Sequence, residues 1–204
     1  PSYPLFSRIP LFIHLPDGDL NGQTCNALTS TVDLHATVLN ALGASISPAT
    51  HSRSILPLLR AENSSIRKDV IFGWWGKGFY WTDGNHLLSK APEKTGPLFQ
   101  YGSDFGEKYV GLDDKSFDRY AKSATGAFMP HTERLVHRVP SDGMAYGNPA
   151  ADIDGLFDLQ SDPDCQNNLF VEDDSLRTKC LSRLKAMMQA YQVPDEHYER
   201  LGLG

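Results

Sequence analysis

The sequence has no long apolar run. None approaches the roughly 20 residues that a helix needs to cross a bilayer, and LFIHL with its neighbours is far too short, so a membrane is not an expected partner. Positive charge is also scarce, with a net charge of -6. Nucleic acids and anionic membranes require concentrated cations, so neither is expected, and any anion site must depend on local cations. Cysteine is sparse: Cys25, Cys165 and Cys180 are an odd count with no C-x-x-C pair. Reduced, partly buried thiols are the expectation, which leans towards the cytoplasm, with a Cys165–Cys180 bridge as the alternative. No G-x-S-x-G elbow is present to seat a hydrolase serine, and a Ser-His-Asp triad declares itself only by geometry. The opening residues show no initiator Met, basic n-region or apolar h-region. They run at once into an apolar strand, so the protein is expected to extend upstream of Pro1.

What is present is an ordinary globular composition, 40% hydrophobic and 22% charged. Residues 8–15, RIPLFIHL, read as a strand buried on both faces, closed by Pro16-Asp17-Gly18. A helix is predicted over 32–42, with Val32, Leu34, Val38, Leu39 and Leu42 apolar, Thr31 or Asp33 as cap and Gly43 as stop. Residues 51–62 form a short amphipathic element interrupted by Pro57. DVIFGWW, KGFYWTDG and NHLLSKAP read as successive strands, the last two joined by a tight turn at 82–85. Residues 92–153 read as an irregular insertion with a short helix near 114–122 and a strand at 134–139. A strand with a turn follows at 154–163. An amphipathic helix is predicted over 173–192, carrying Leu176, Cys180, Leu181, Leu184, Met187, Met188 and Tyr191 at helical spacing.

This order predicts an α/β fold: the edge of a main sheet over residues 1–62, then a subdomain over 63–204 with a small antiparallel sheet and a terminal helix.

Several segments resemble the C-terminal stretch of the sulfatase family of the alkaline phosphatase superfamily. Arg8-Ile9-Pro10-Leu11-Phe12-Ile13 is similar to its R-x-P strand. Thr31-Val32-Asp33-Leu34-His35-Ala36-Thr37-Val38-Leu39 resembles its x-V-D-L-x-P-T helix, with Ala36 where Pro is usual. Ser52-Arg53-Ser54-Ile55-Leu56-Pro57-Leu58-Leu59 resembles G-R-S-L-L-P-L-L, with Ser52 in place of Gly. Leu156-Phe157-Asp158-Leu159, Asp162-Pro163 and Asn167-Asn168-Leu169 resemble the closing L-Y-D-L-x-x-D-P-x-E-x-x-N-L. The matches stand in the family's order over roughly 3–60 and 154–192.

The resemblance implies an alkaline-phosphatase-like fold and hydrolysis of a sulfate ester on a small molecule or sugar. It also implies that the parent enzyme uses formylglycine and Ca²⁺ or Mg²⁺. The family's C/S-x-P-x-R pentapeptide, whose Cys or Ser becomes formylglycine, is absent from these 204 residues. Its metal-binding acids and sulfate-contacting Lys would also precede the R-x-P strand. The chain is therefore expected to bind no metal or cofactor, to have no catalytic residue and to be inactive alone, its partner being the upstream catalytic part. A phosphonate or phosphate monoester hydrolase of the same superfamily would share this architecture.

The residues themselves offer one unusual cluster. All three tryptophans, Trp74, Trp75 and Trp81, fall within eight positions of FGWWGKGFYW, beside Tyr80 and with Lys77 between two glycines. Aromatic faces stack on sugars or aryl groups, and an ammonium pairs with a sulfate oxygen. The alternative is a hairpin using its aromatics as cross-strand packing. His14, near the C-terminal end of the first strand, is a further candidate contact. A stand-alone carbohydrate-binding module built on the tryptophans, or a purely structural subdomain, are the readings from other classes. Asp17, Asp19, Asp33 with His35, Asp152 with Asp154, and Asp162 with Asp164 read as turn and cap acids, without metal-loop spacing. Asn63-Ser64-Ser65 is a glycosylation sequon, a triplet common by chance and relevant only after secretion.

Overall fold

Apolar residues gather in three closely spaced short runs after Asp69, and each becomes a strand. In the computed structural model these are β1 (Val70–Gly73), β2 (Phe79–Thr82) and β3 (His86–Lys90). The model describes residues 7–16, 22–73, 78–93, 98–102, 124–126, 128, 135–140 and 153–204. Asp83 fixes the turn between β2 and β3, its carboxylate accepting the amides of Asn85 at 3.0 Å and His86 at 2.8 Å. Thr82 adds its hydroxyl to the His86 carbonyl at 2.7 Å.

A fourth strand, β7 (Gly155–Asp158), pairs antiparallel with β3, placing Leu87 opposite Phe157 and Leu88 opposite Leu156. The sheet order is β1-β2-β3-β7. Tyr80, Leu87, Phe157 and Cys165 form a buried cluster, with Phe72 and Leu159 packed against it. A second sheet, in the order β4-β6-β5, is built from β4 (Phe99–Gly102), β5 (Ala124–Gly126) and β6 (Val136–Pro140). Of these strands only β6 was foreseen, at 134–139. β4 and β5 lie in the stretch read as irregular, because three- and four-residue strands are too short to show a period. The short helix expected near 114–122 lies outside the described residues.

Four helices accompany the sheets among the described residues: α1 (Asp33–Ala41), α2 (Leu56–Leu59), α3 (Asp174–Ala190) and α4 (Asp195–Arg200). The spacing of apolar residues locates α3 well, and Cys180, Leu184, Met187 and Met188 are buried as that spacing requires. Gly43, at φ 71°, stops α1 as expected, since a left-handed residue is what ends the turn. The fold is thus a mixture of helices and antiparallel sheets, and no helix among the described residues is long and apolar enough to cross a membrane.

The first strand and the buried face of α1 differ from expectation. Residues 8–15 belong to neither sheet, and Ile9 and Phe12 are 63% and 93% exposed. Among the described residues no strand pairs with this segment, so Ile9, Leu11 and Phe12 lie exposed, while Ile13 and Leu15 are half-buried. In α1 the buried residues are Asp33, Ala36 and Thr37, while the apolar Leu34 and Val38 point outward with Val32 and Leu42 beside them. Asp33 is not a cap, for the helix has no side-chain cap bond and begins after Val32. Instead it is fully buried in an ion pair with Arg67.

Around that pair the polar groups are matched. Asp33 accepts the Ser30 and Arg53 amides, each at 2.8 Å, and the Arg67 Nε at 2.8 Å. Arg67 donates onward to the His51 carbonyl at 2.7 Å. Thr37 takes the Ile55 amide at 2.9 Å and gives its own proton to the Asp33 carbonyl. Ser52 accepts the Ala36 amide at 2.8 Å and donates to the Val32 carbonyl at 2.6 Å. Ala36 and Ser52 are two of the places where the chain departs from the sulfatase pattern it resembles, and they bond each other. A Pro at 36 would have no N–H to give, and a Gly at 52 would have no hydroxyl to receive it.

By its contacts the chain falls into two units. One comprises Pro1–Phe72, Tyr80–Ser89 and Gly155–Leu181; the other comprises Gly73–Phe79, Lys90–Asp154 and Ser182–Gly204. Each unit is assembled from stretches far apart in sequence.

Candidate functional site

The tryptophan-rich hairpin was the site the sequence singled out, and its described residues follow the packing alternative. Along β2 successive side chains point to opposite faces, yet both Tyr80 and Trp81 are buried, Trp81 to 1% exposure. Tyr80 stacks on Phe72 with centroids 5.2 Å apart. A ring covered on its faces by protein has none left for a sugar, so Tyr80 and Trp81 belong to the core and not to a pocket wall. The Trp81 indole N–H finds no hydrogen-bond partner among the described residues.

Trp74, Trp75 and Lys77 lie outside the described residues. Their flank is informative nonetheless. A Cβ on Gly78 would run into the Lys90 carbonyl, so the backbone there tolerates no side chain. His14 is exposed on the segment at 8–15, which belongs to neither sheet.

In the second unit a mixed aromatic and cationic cluster appears that the sequence did not reveal. The Arg138 guanidinium lies 4.8 Å from the Phe99 ring centroid and 4.6 Å from that of Phe128. Glu196 approaches it at 3.9 Å, too long for a hydrogen bond. His197 lies beside Phe79 and Tyr101, with centroids 5.6 and 6.0 Å away. Burial, with Arg200 nearby, pushes the His197 pKa down to about 4, so the ring is neutral at physiological pH. The Tyr101 hydroxyl is buried and finds no hydrogen-bond partner among the described residues. Only the strands of this cluster bring Arg138, Phe99 and Tyr101 together, by pairing β4 with β6 in the register Tyr101 opposite Arg138. Nothing local in the sequence announces that pairing.

A second arrangement missed from sequence is the Asp83–His86 pair, in which the His86 Nδ1 sits 3.2 and 3.3 Å from the two carboxylate oxygens. Carboxylates orient catalytic imidazoles in this way. Here Asp83 is also fully engaged in its turn. Burial raises its pKa, but the bonds from His86 and Asn85 outweigh that and hold the carboxyl low. The spacing D-x-x-H in a turn was the available signal.

The two buried thiols, Cys165 and Cys180, make poor nucleophiles. Burial and the nearby Asp83 push the Cys180 thiol up to about 11, and burial also raises Cys165. All three cysteines are free, Cys165 and Cys180 buried and Cys25 exposed. Among the described residues no group of three or more His, Cys, Asp or Glu side chains could hold a metal. Asp33, the most buried acid, has its oxygens committed to Arg67 and two amides, so it does not fit a Ca²⁺ or Mg²⁺ site. Lys90 lies 3.0 Å from Asp154. No protein-family model and no curated protein matches the chain.

Proposed function

We propose that this chain is the C-terminal part of a sulfatase-type hydrolase, where it completes an alkaline-phosphatase-like core and walls the substrate pocket. The observation that carries the reading is the outward apolar surface of the first unit: Ile9, Leu11 and Phe12 on a segment that belongs to neither sheet, and Val32, Leu34, Val38 and Leu42 along α1. These are two of the segments that resemble the family's core strand and helix. In such a core a parallel strand is covered on both faces, and an exposed apolar strip of this kind marks a surface meant for burial. The coupled departures at Ala36 and Ser52 add support, because one replacement supplies the donor that the other accepts.

On this reading the formylglycine, the Ca²⁺ or Mg²⁺ ion and the transferred sulfuryl group all belong to the upstream catalytic part. This chain contributes no step to the reaction. Its contribution is the wall: the hairpin flanked by Gly78 would present Lys77 to an anionic ester, with Trp74 and Trp75 against a sugar or aryl group. The carbohydrate-binding reading is weakened by the burial of Tyr80 and Trp81.

The purified chain should leave a sulfated chromogen intact, and turnover at enzymatic rate would end the proposal. In the whole enzyme, Lys77→Ala should lower kcat/KM for a sulfate ester by roughly 10-fold or more, the worth of one charge-assisted hydrogen bond. Unchanged kinetics would remove Lys77 from the pocket.

A further inference from the structure

We propose that Asn63 is an acceptor for an N-linked glycan. Asn63-Ser64-Ser65 is the only Asn-x-Ser/Thr triplet in the 204 residues, and its middle residue is not Pro. The triplet sits just beyond α2. There the amides of Glu62 and Asn63 both donate to the Pro57 carbonyl, at 2.9 and 3.1 Å, which pins the backbone. Ala61 before it is left-handed, at φ 55°, and turns the chain outward. Residues 61–65 are all exposed.

The Asn63 carboxamide makes no hydrogen bond among the described residues, so nothing in the fold depends on its Nδ2. The Ser65 hydroxyl makes only a local bond, to the Arg67 carbonyl at 2.8 Å. A sugar on Nδ2 would therefore project into water and displace no buried contact, which is the condition for a glycosylated chain to fold.

The reaction requires an oligosaccharide carried on a polyisoprenyl diphosphate. Nδ2 forms a bond to the anomeric carbon, the bond from that carbon to the diphosphate oxygen breaks, and Nδ2 gives up one proton as the lipid diphosphate departs. No oxidant or reductant is involved. The inference goes beyond the hydrolase reading and survives its failure.

The test is translation of the full chain, behind a cleavable signal peptide, into endoplasmic-reticulum microsomes, followed by the mass of the protease-protected product. A single glycan's increase is expected. It should be removed by peptide N-glycosidase, absent from Asn63→Gln and Ser65→Ala, and retained by Ser65→Thr. A protected chain of unmodified mass, or an increase that persists in Asn63→Gln, would overturn the proposal.

Discussion

The two units handle buried charge in opposite ways. In the first, Asp33 and Arg67 are both charged and out of water, and every oxygen of the carboxylate meets a donor. In the second, His197 is stripped of solvent among aromatic rings and gives up its charge instead. Desolvation is the first-order effect in each. Burial alone would raise the Asp33 pKa, but the bonds from Arg67, Arg53 and Ser30 outweigh it and hold the carboxyl low. His197 has no such compensation, and Arg200 pushes it the same way. A buried ionisable group keeps its charge only where the fold supplies partners for it.

The largest effect expected from this contrast is at Asp33. Asp33→Ala would leave the Arg67 guanidinium buried without its counter-charge, at a cost of about 3–5 kcal/mol by denaturant unfolding. A loss below about 1 kcal/mol would mean that water reaches the pair and that the first unit is not closed around it.

The next effect separates the units by pH. The folded pKa of His197 is depressed from 6.5 to about 4, so between those values the unfolded chain binds the extra proton. Stability is therefore intact above about 6.5 and falls as the pH drops towards 4, by at most about 3 kcal/mol. The Asp33 contribution is present above its ordinary value of 3.8 and is lost only as pH falls through its lower folded pKa. Acid should thus weaken the second unit first. His197→Phe should flatten the slope between pH 6.5 and 4 in urea titrations, and an unchanged slope would assign it to another group.

The smallest effect sharpens the node itself. Ser52→Gly should cost about 1 kcal/mol in the natural chain, through loss of its bonds to Ala36 and Val32. In an Ala36→Pro background the cost should shrink, giving a coupling of about 0.5–1 kcal/mol in a double-mutant cycle. Strict additivity would make the two departures from the family pattern unrelated.

The elements legible in the sequence were those whose period outlasts their ends. α3 shows its spacing over 17 residues, and the hairpin of β2 and β3 declares itself by the turn at 82–85. What was not legible depended on distant partners. The apolar stripe of α1 is real, yet the buried face is Asp33, Ala36 and Thr37, because residues 51–55 and Arg67 supply hydrogen bonds that no periodicity encodes. The segment at 8–15 has the composition of a covered strand, but composition cannot furnish the neighbouring strand. At the candidate site, the sequence identified the aromatic cluster but could not decide which faces β2 would turn inward. The grouping of Arg138, Tyr101 and His197 was invisible, since it arises from the pairing of β4 with β6 across more than thirty residues.

The bonds from Asp33 to Arg53 and Arg67 reach the chain on both sides of the turn at 61–65. That turn is consequently a loop fastened at both feet. Cutting it, or splicing extra residues into it, would leave the two stubs clasped to the same carboxylate, and the surrounding architecture should outlive the break.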